Sequence, residues 1–186
     1  MYKFFDKVTD KLLKLPKAVV FIVLGLSFVY SGMFDSMQLA SSVLVMLFGN
    51  INVYLSIFLF GIIYWLGFEL FAALYFRIVK SMMGVTEIYK NKANMANILR
   101  WFFVLRNIVF GSVRLLYFKY PIIVLQAENV LIFALNLATL ILYYFYIRKK
   151  YIPPQLYPRS VMAFCAPYLI YLIASMMMSG CSGALL

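Results

Sequence analysis

Residues 51–76 form a nearly unbroken apolar run in which the single charged side chain is Glu69. A run of about 20 such residues is long enough to cross the ~30 Å hydrocarbon core of a bilayer. Comparable runs recur at 18–34, 98–118, 122–147 and 160–178, separated by short polar or basic breaks. A soluble domain of this length has no core large enough to hide them all. The composition agrees: 66% hydrophobic and 12% charged, with a mean hydropathy of +0.94, against roughly half apolar and a quarter charged in soluble domains. Disorder, a collagen-like chain and a disulfide scaffold are excluded by the same figures. The expectation is an all-α integral membrane bundle of five transmembrane helices.

Residues 1–17 are too charged to cross. Lys3, Lys7, Lys11, Lys14 and Lys17 stand against Asp6 and Asp10, while Phe5, Val8, Leu12 and Leu15 recur at helical spacing. That pattern predicts an amphipathic helix lying on the membrane surface. No small-residue cleavage site follows it, so it does not read as a cleavable signal. Pro16 is well placed to open the first span. Residues 35–50 are too short and too polar to cross after the break at Asp35, and are expected to be interfacial or re-entrant. Residues 179–186 are expected to be a short small-residue tail.

The Lys and Arg residues test this parse. Counted from the N-terminal segment through the four loops to the tail they number 5, 0, 4, 1, 4 and 0. Basic loops stay on the cytoplasmic side. The alternation therefore requires five spans, a cytoplasmic N-terminus and an external C-terminus. The net charge of +11 sits mostly at span ends, so orientation explains it better than nucleic-acid binding does. An AT-rich bias to Phe, Ile, Lys and Tyr points to a bacterial cytoplasmic membrane.

The chain contains no histidine. With it go the commonest general base and metal ligand, and with them Ser-His-Asp or Cys-His catalysis and the HExxH zinc site. Cys165 and Cys181 lack metal-binding spacing and read as membrane-buried thiols. The methionines 176–178 read as an apolar boundary rather than a copper site. No cofactor, no metal and no enzymatic activity are expected.

Chemistry inside the bilayer is confined to a few residues. Glu69, Arg106, Arg114 and Glu128 fall within spans and Arg100 within or beside one; ionisable groups at that depth are costly unless paired or wetted. Arg100, Arg106 and Arg114 fall within an arc of about 120° on the third helix, opposite Phe102, Leu105 and Val109, which can meet lipid. Two readings are open. Glu69 and Glu128 neutralise the arginines and hold the bundle together, or the arginine face lines a cavity that binds an anion such as a lipid headgroup or a carboxylate. Asn107, Asn129 and Asn136 are candidates for interhelical hydrogen bonds. Gly25, Ser27, Ser31, Gly32, Gly61 and Gly67 offer close-approach positions, and Pro167 is expected to kink the last helix. The loop RKKYIPPQLYPR carries Arg148, Lys149, Lys150 and Arg159 with two tyrosines, a contact for anionic lipid or a partner if it is more than a connector.

The opening FFDKVTDKLLKLPKAVV, the five-span layout with basic loops after the second and fourth spans, and the closing YIRKKYIPPQLYPR resemble the Yip (Ypt-interacting protein) family of small membrane proteins. Eukaryotic members are associated with small GTPases and membrane traffic, so the resemblance implies an organising or adaptor role rather than a reaction. The same basic, proline-containing loop is similar to that of the accessory-gene-regulator peptidases. Their cysteine protease chemistry needs a histidine, so it does not carry over.

The leading expectation is a non-enzymatic integral membrane subunit or adaptor that packs against other membrane proteins. The alternative is a small-solute or lipid transporter component with an anion-binding arginine face on the third span. Expected partners are the bilayer with its anionic lipids, and a membrane protein or a second copy of the chain.

Overall fold

Pro16 sets the first helix: its carbonyl accepts the amides of Val19 at 2.9 Å and Val20 at 3.3 Å, and α1 runs Lys17–Leu39. The computed structural model describes residues 11, 15–39, 53–84, 91–116 and 121–183; within them, the side chains at 32–39, 53–54, 56–57, 60, 121–129 and 174–183 lie outside the description. Helix α2 runs Val53–Met83 and stops at Gly84. There φ is +61°, a left-handed cap that glycine adopts without a Cβ penalty, and the Gly84 amide closes on the Lys80 carbonyl at 3.1 Å. Helix α3 runs Lys92–Leu115.

Helix α4, Pro121–Tyr151, begins on a proline whose missing N–H costs nothing there. Its last turn carries Arg148, Lys149 and Lys150, cations at the negative end of the helix dipole. The connector is ordered. Ile152 is buried, Pro153 is extended, and Pro154–Leu156 make a 3-10 turn closed by the Leu156 amide on the Pro153 carbonyl at 3.0 Å. Helix α5 then runs Tyr157–Gly183 and continues through Pro167.

Among the described residues the chain is helical and holds no strand. Residue pairing gives the directions. Phe21 meets Arg100, Ser27 meets Asn107 and Ser31 meets Arg114, so α1 and α3 run parallel. Helix α2 opposes both, and α5 opposes α2, with Met82 against Arg159, Tyr75 against Phe164 and Phe71 against Tyr171. One core draws on all five helices, from Leu24 and Phe28 through Phe68, Tyr75, Leu99 and Phe103 to Tyr143, Phe164 and Tyr168. Outside it, Ile63, Leu66, Leu70 and Leu74 form an exposed apolar stripe on α2, and Met162, Ile170 and Ile173 are exposed on α5.

Among the described residues a helix lies at each of the five expected spans, though not each is long and apolar enough to cross a membrane, and their ends differ from the apolar runs. Helix α1 continues past Asp35 to Leu39, because one carboxylate near a helix end does not break hydrogen bonding in a stretch of tolerable helix formers. Helix α2 continues through Arg77 and Lys80 for the same reason, and α3 begins at Lys92 instead of 98. Helix α5 starts at Tyr157 and extends to Gly183, so residues 179–183 are helix rather than tail. Of the surface helix expected over 1–17 only residues 11 and 15–17 are described, Lys17 already belonging to α1, and the interfacial segment beyond Leu39 lies outside the described residues.

Three stretches among the described residues are long and apolar enough to cross a membrane: Gly61–Met83, Val130–Tyr151 and Pro154–Ile173. The apolar part of α1 with described side chains, Lys17–Ser31, is shorter. Helix α3 is not among the three. Its arginines and asparagines lower its hydropathy, and those residues are where the bundle concentrates its polar contacts.

Candidate functional site

Arg100 uses all three of its guanidinium nitrogens within the bundle. Its Nε and Nη2 donate to the two oxygens of Glu69 at 2.8 and 2.7 Å, and Nη1 donates to Asn97 Oδ1 at 2.8 Å. The guanidinium also lies 4.5 Å from the centre of the Phe21 ring. The two-pronged geometry matches the planar guanidinium to the carboxylate. The pair is 14% and 22% exposed at its side chains. This ion pair joins α2 to α3, with a ring of α1 stacked upon it.

Further along α3 the polar groups form a directed chain. Arg106 Nη1 donates to Asn107 Oδ1 at 3.1 Å, Asn107 Nδ2 to Ser27 Oγ at 3.1 Å, and Ser27 Oγ to the Leu24 carbonyl at 2.7 Å. Each donor is polarised by the one behind it, which strengthens such chains where water is excluded. Arg114 is only 5% exposed; its Nη1 donates to the Ser31 carbonyl at 2.9 Å and its guanidinium sits 4.2 Å from the Phe110 ring centre. Tyr30 and Ser112 hydroxyls meet at 3.3 Å. This close seam requires Gly111, where an added Cβ would lie 2.5 Å from Tyr30 Cε1. Gly61 plays the same part between α1 and α2: a Cβ there would lie 2.9 Å from Val29 Cα.

The sequence-level candidates therefore separate. Glu69 pairs with Arg100 and Arg114 reaches α1 at the Ser31 carbonyl, while Arg106 bonds Asn107 beside it on α3 and lies against the Phe103 ring. Arg114 is buried against a backbone carbonyl and a ring. On the opposite face Leu105 and Val109 are exposed as expected, but Phe102 packs edge-on against Tyr143 of α4, with centroids 6.2 Å apart. The side chains of Glu128 and Asn129 lie outside the described residues. Asn107 does bond between helices, to a serine. Asn136 is 4% exposed and its Oδ1 finds no partner among the described residues. No group of three or more potential metal ligands occurs among the described residues.

The sequence did not single out the tyrosines that fasten α5. Tyr75 donates to the Phe164 carbonyl at 2.9 Å. Ser160 donates to the Tyr157 carbonyl at 2.8 Å, so its oxygen is left to accept the Tyr144 hydroxyl at 2.9 Å. The rings of Phe71, Tyr75, Phe164, Tyr168 and Tyr171 pack at centroid distances of 4.3 to 6.4 Å. The basic connector is also structured: Arg148 lies 3.9 Å from the Tyr157 ring centre, and Arg159 Nε donates to the Met82 carbonyl at 2.8 Å.

Compared with known proteins, the chain matches no family model, no curated protein and no solved structure.

Proposed function

We propose that the chain is a non-enzymatic integral membrane subunit or adaptor, a five-span bundle whose basic end and N-terminus face the cytoplasm. The observation that carries this reading is the engagement of Arg100. With Nε and Nη2 on Glu69 and Nη1 on Asn97, it serves the bundle rather than presenting an open anion site. Arg114, committed to the Ser31 carbonyl and the Phe110 ring, supports it further. A polar helix crosses a bilayer when neighbouring helices shield its charges. Helix α3 packs between α1 and α4, and α4 contains a stretch long enough to cross. Helix α1 lies along α3 and follows it across.

The charge distribution supports the orientation. Lys17, Arg77, Lys80, Lys92, Arg148 and Arg159 lie where α1, α3 and α5 begin and α2 and α4 end, which the pairings above place at one end of the bundle. That end is cytoplasmic by the distribution of basic residues. The layout resemblance to Yip proteins points the same way, toward organising other membrane proteins.

The test is a mild-detergent purification of the full chain from its own cells, with mass spectrometry and cross-linking of what travels with it. A membrane protein recovered in fixed ratio and cross-linked to the exposed α2 or α5 stripe is the expected result. A solitary chain that catalyses solute exchange when reconstituted would overturn the reading in favour of a transporter component.

A further inference from the structure

Orienting a chain during membrane insertion needs positive charge and nothing more. The corner where α4 passes into α5 has more than charge. Arg148 is stacked on the Tyr157 ring at 3.9 Å, and Arg159 is anchored through Nε to the Met82 carbonyl at the end of α2. Lys150 Nζ reaches the Tyr146 hydroxyl at 3.4 Å. Between them the backbone is fixed by buried Ile152, the extended Pro153 and the 3-10 turn. Two guanidiniums are thus held on a rigid corner, each through a contact that among the described residues uses only part of its donor set. Arginine carries five N–H donors in a planar fork suited to phosphate oxygens. No acidic side chain is present in α4's last turn, the connector or the first turns of α5.

We propose that this corner, centred on Arg148 and Arg159 with Lys149 and Lys150 beside them, is a binding site for the headgroup of an anionic phospholipid in the leaflet at the basic end. The exposed apolar side chains Val161 and Met162 lie on α5 just beyond Arg159, so an acyl chain descending from a phosphate held there meets an apolar wall. Fixing the arginines in advance lowers the ordering cost of binding. Tyr146 and Tyr157 supply amphipathic rings of the kind that settle at headgroup depth. The site requires only that the chain is embedded in a bilayer and stands whether or not the chain is an adaptor.

The experiment is native mass spectrometry of the full chain released from nanodiscs of equimolar phosphatidylcholine and phosphatidylglycerol. The wild-type chain is expected to retain phosphatidylglycerol in preference to phosphatidylcholine. The Arg148→Gln/Arg159→Gln variant should lose that preference by about fivefold for each arginine removed, the loss expected for one juxtamembrane cation. A charge-matched control, Lys17→Gln/Arg77→Gln, removes the same charge from α1 and α2 and should keep the preference. If the double variant does not assemble, Arg148→Gln alone should still lose about fivefold. Equal retention of both lipids by the wild-type chain overturns the proposal. So does an equal loss in the corner variant and the control, which would leave a diffuse surface field in place of a site.

Discussion

The seam between α1 and α3 and the seam between α2 and α5 solve the same problem with different chemistry. Both must hold helices together where lipid tails are as apolar as the side chains, so that hydrophobic burial gives little preference for helix over lipid. The α1–α3 seam uses close approach and hydrogen bonds: Gly111 admits the Tyr30 ring, Arg106, Asn107 and Ser27 pass donors to the Leu24 carbonyl, and Arg114 reaches the Ser31 carbonyl. The α2–α5 seam uses bulk. Its rings interlock, and its tyrosine hydroxyl spends its one donor on the Phe164 carbonyl. Phe103 and the Glu69–Arg100 pair tie the two seams, since Phe103 stacks on Phe68 at 4.4 Å while also meeting Tyr168. The lesson is that α3, the least apolar helix, packs against α1 through its polar groups, whereas the facing sides of α2 and α5 pack specifically by ring shape.

The largest break in this comparison should come from Glu69→Ala. It leaves the Arg100 guanidinium without its carboxylate and is expected to cost about 3–5 kcal/mol, as for other severed buried pairs. Arg100→Ala should cost less, because a carboxyl left alone can take up a proton while a guanidinium cannot lose one. Unfolding in mixed micelles, followed by circular dichroism or gel filtration, reads both. Equal costs would mean the pair is solvated rather than held in the bundle.

A smaller effect sharpens the contrast in packing. Gly111→Ala drives a methyl into the Tyr30 ring and should cost about 1–3 kcal/mol, the range for overpacked interiors. Gly67→Ala is the control on the same scale, since nothing lies within 4 Å of a Cβ there, and should leave the thermal midpoint unchanged. The smallest effects compare one hydrogen bond from each seam. Asn107→Ala and Tyr75→Phe should each cost about 0.6 kcal/mol, the average for interhelical hydrogen bonds in bilayers. In a double-mutant cycle Asn107→Ala should couple to Ser27→Ala, whereas Tyr75→Phe should show no coupling to it.

What the sequence made legible follows from what is local. Apolar run length marked five helical segments, Pro16 marked the start of the first, and the spacing of Arg100, Arg106 and Arg114 placed them near one face. The helix ends were less legible, because Asp35, Arg77 and Lys80 are unfavourable in hydrocarbon yet acceptable in a helix, and hydropathy cannot tell the end of a span from the end of a helix. Partner choice was least legible. Glu69 stood out as an available acid, but that it meets Arg100 depends on how α2 and α3 are rotated against each other, which no single helix wheel contains. The ring packing of Phe71, Tyr75, Phe164 and Tyr168 was hidden for the same reason, since a tyrosine facing a neighbouring helix and one facing headgroups look alike in sequence.

The most direct test concerns α3 itself, the polar helix taken to cross the bilayer under cover of its neighbours. In a Cys165→Ala/Cys181→Ala background, single cysteines at Ala93 and Leu116 would be labelled with a membrane-impermeant maleimide in intact cells and in inverted vesicles. Reaction of the Ala93→Cys variant only from the cytoplasmic side and of Leu116→Cys only from the outside is the expected result. Labelling of both from one side would show that α3 does not cross, and would contradict the five-span bundle built around its charges.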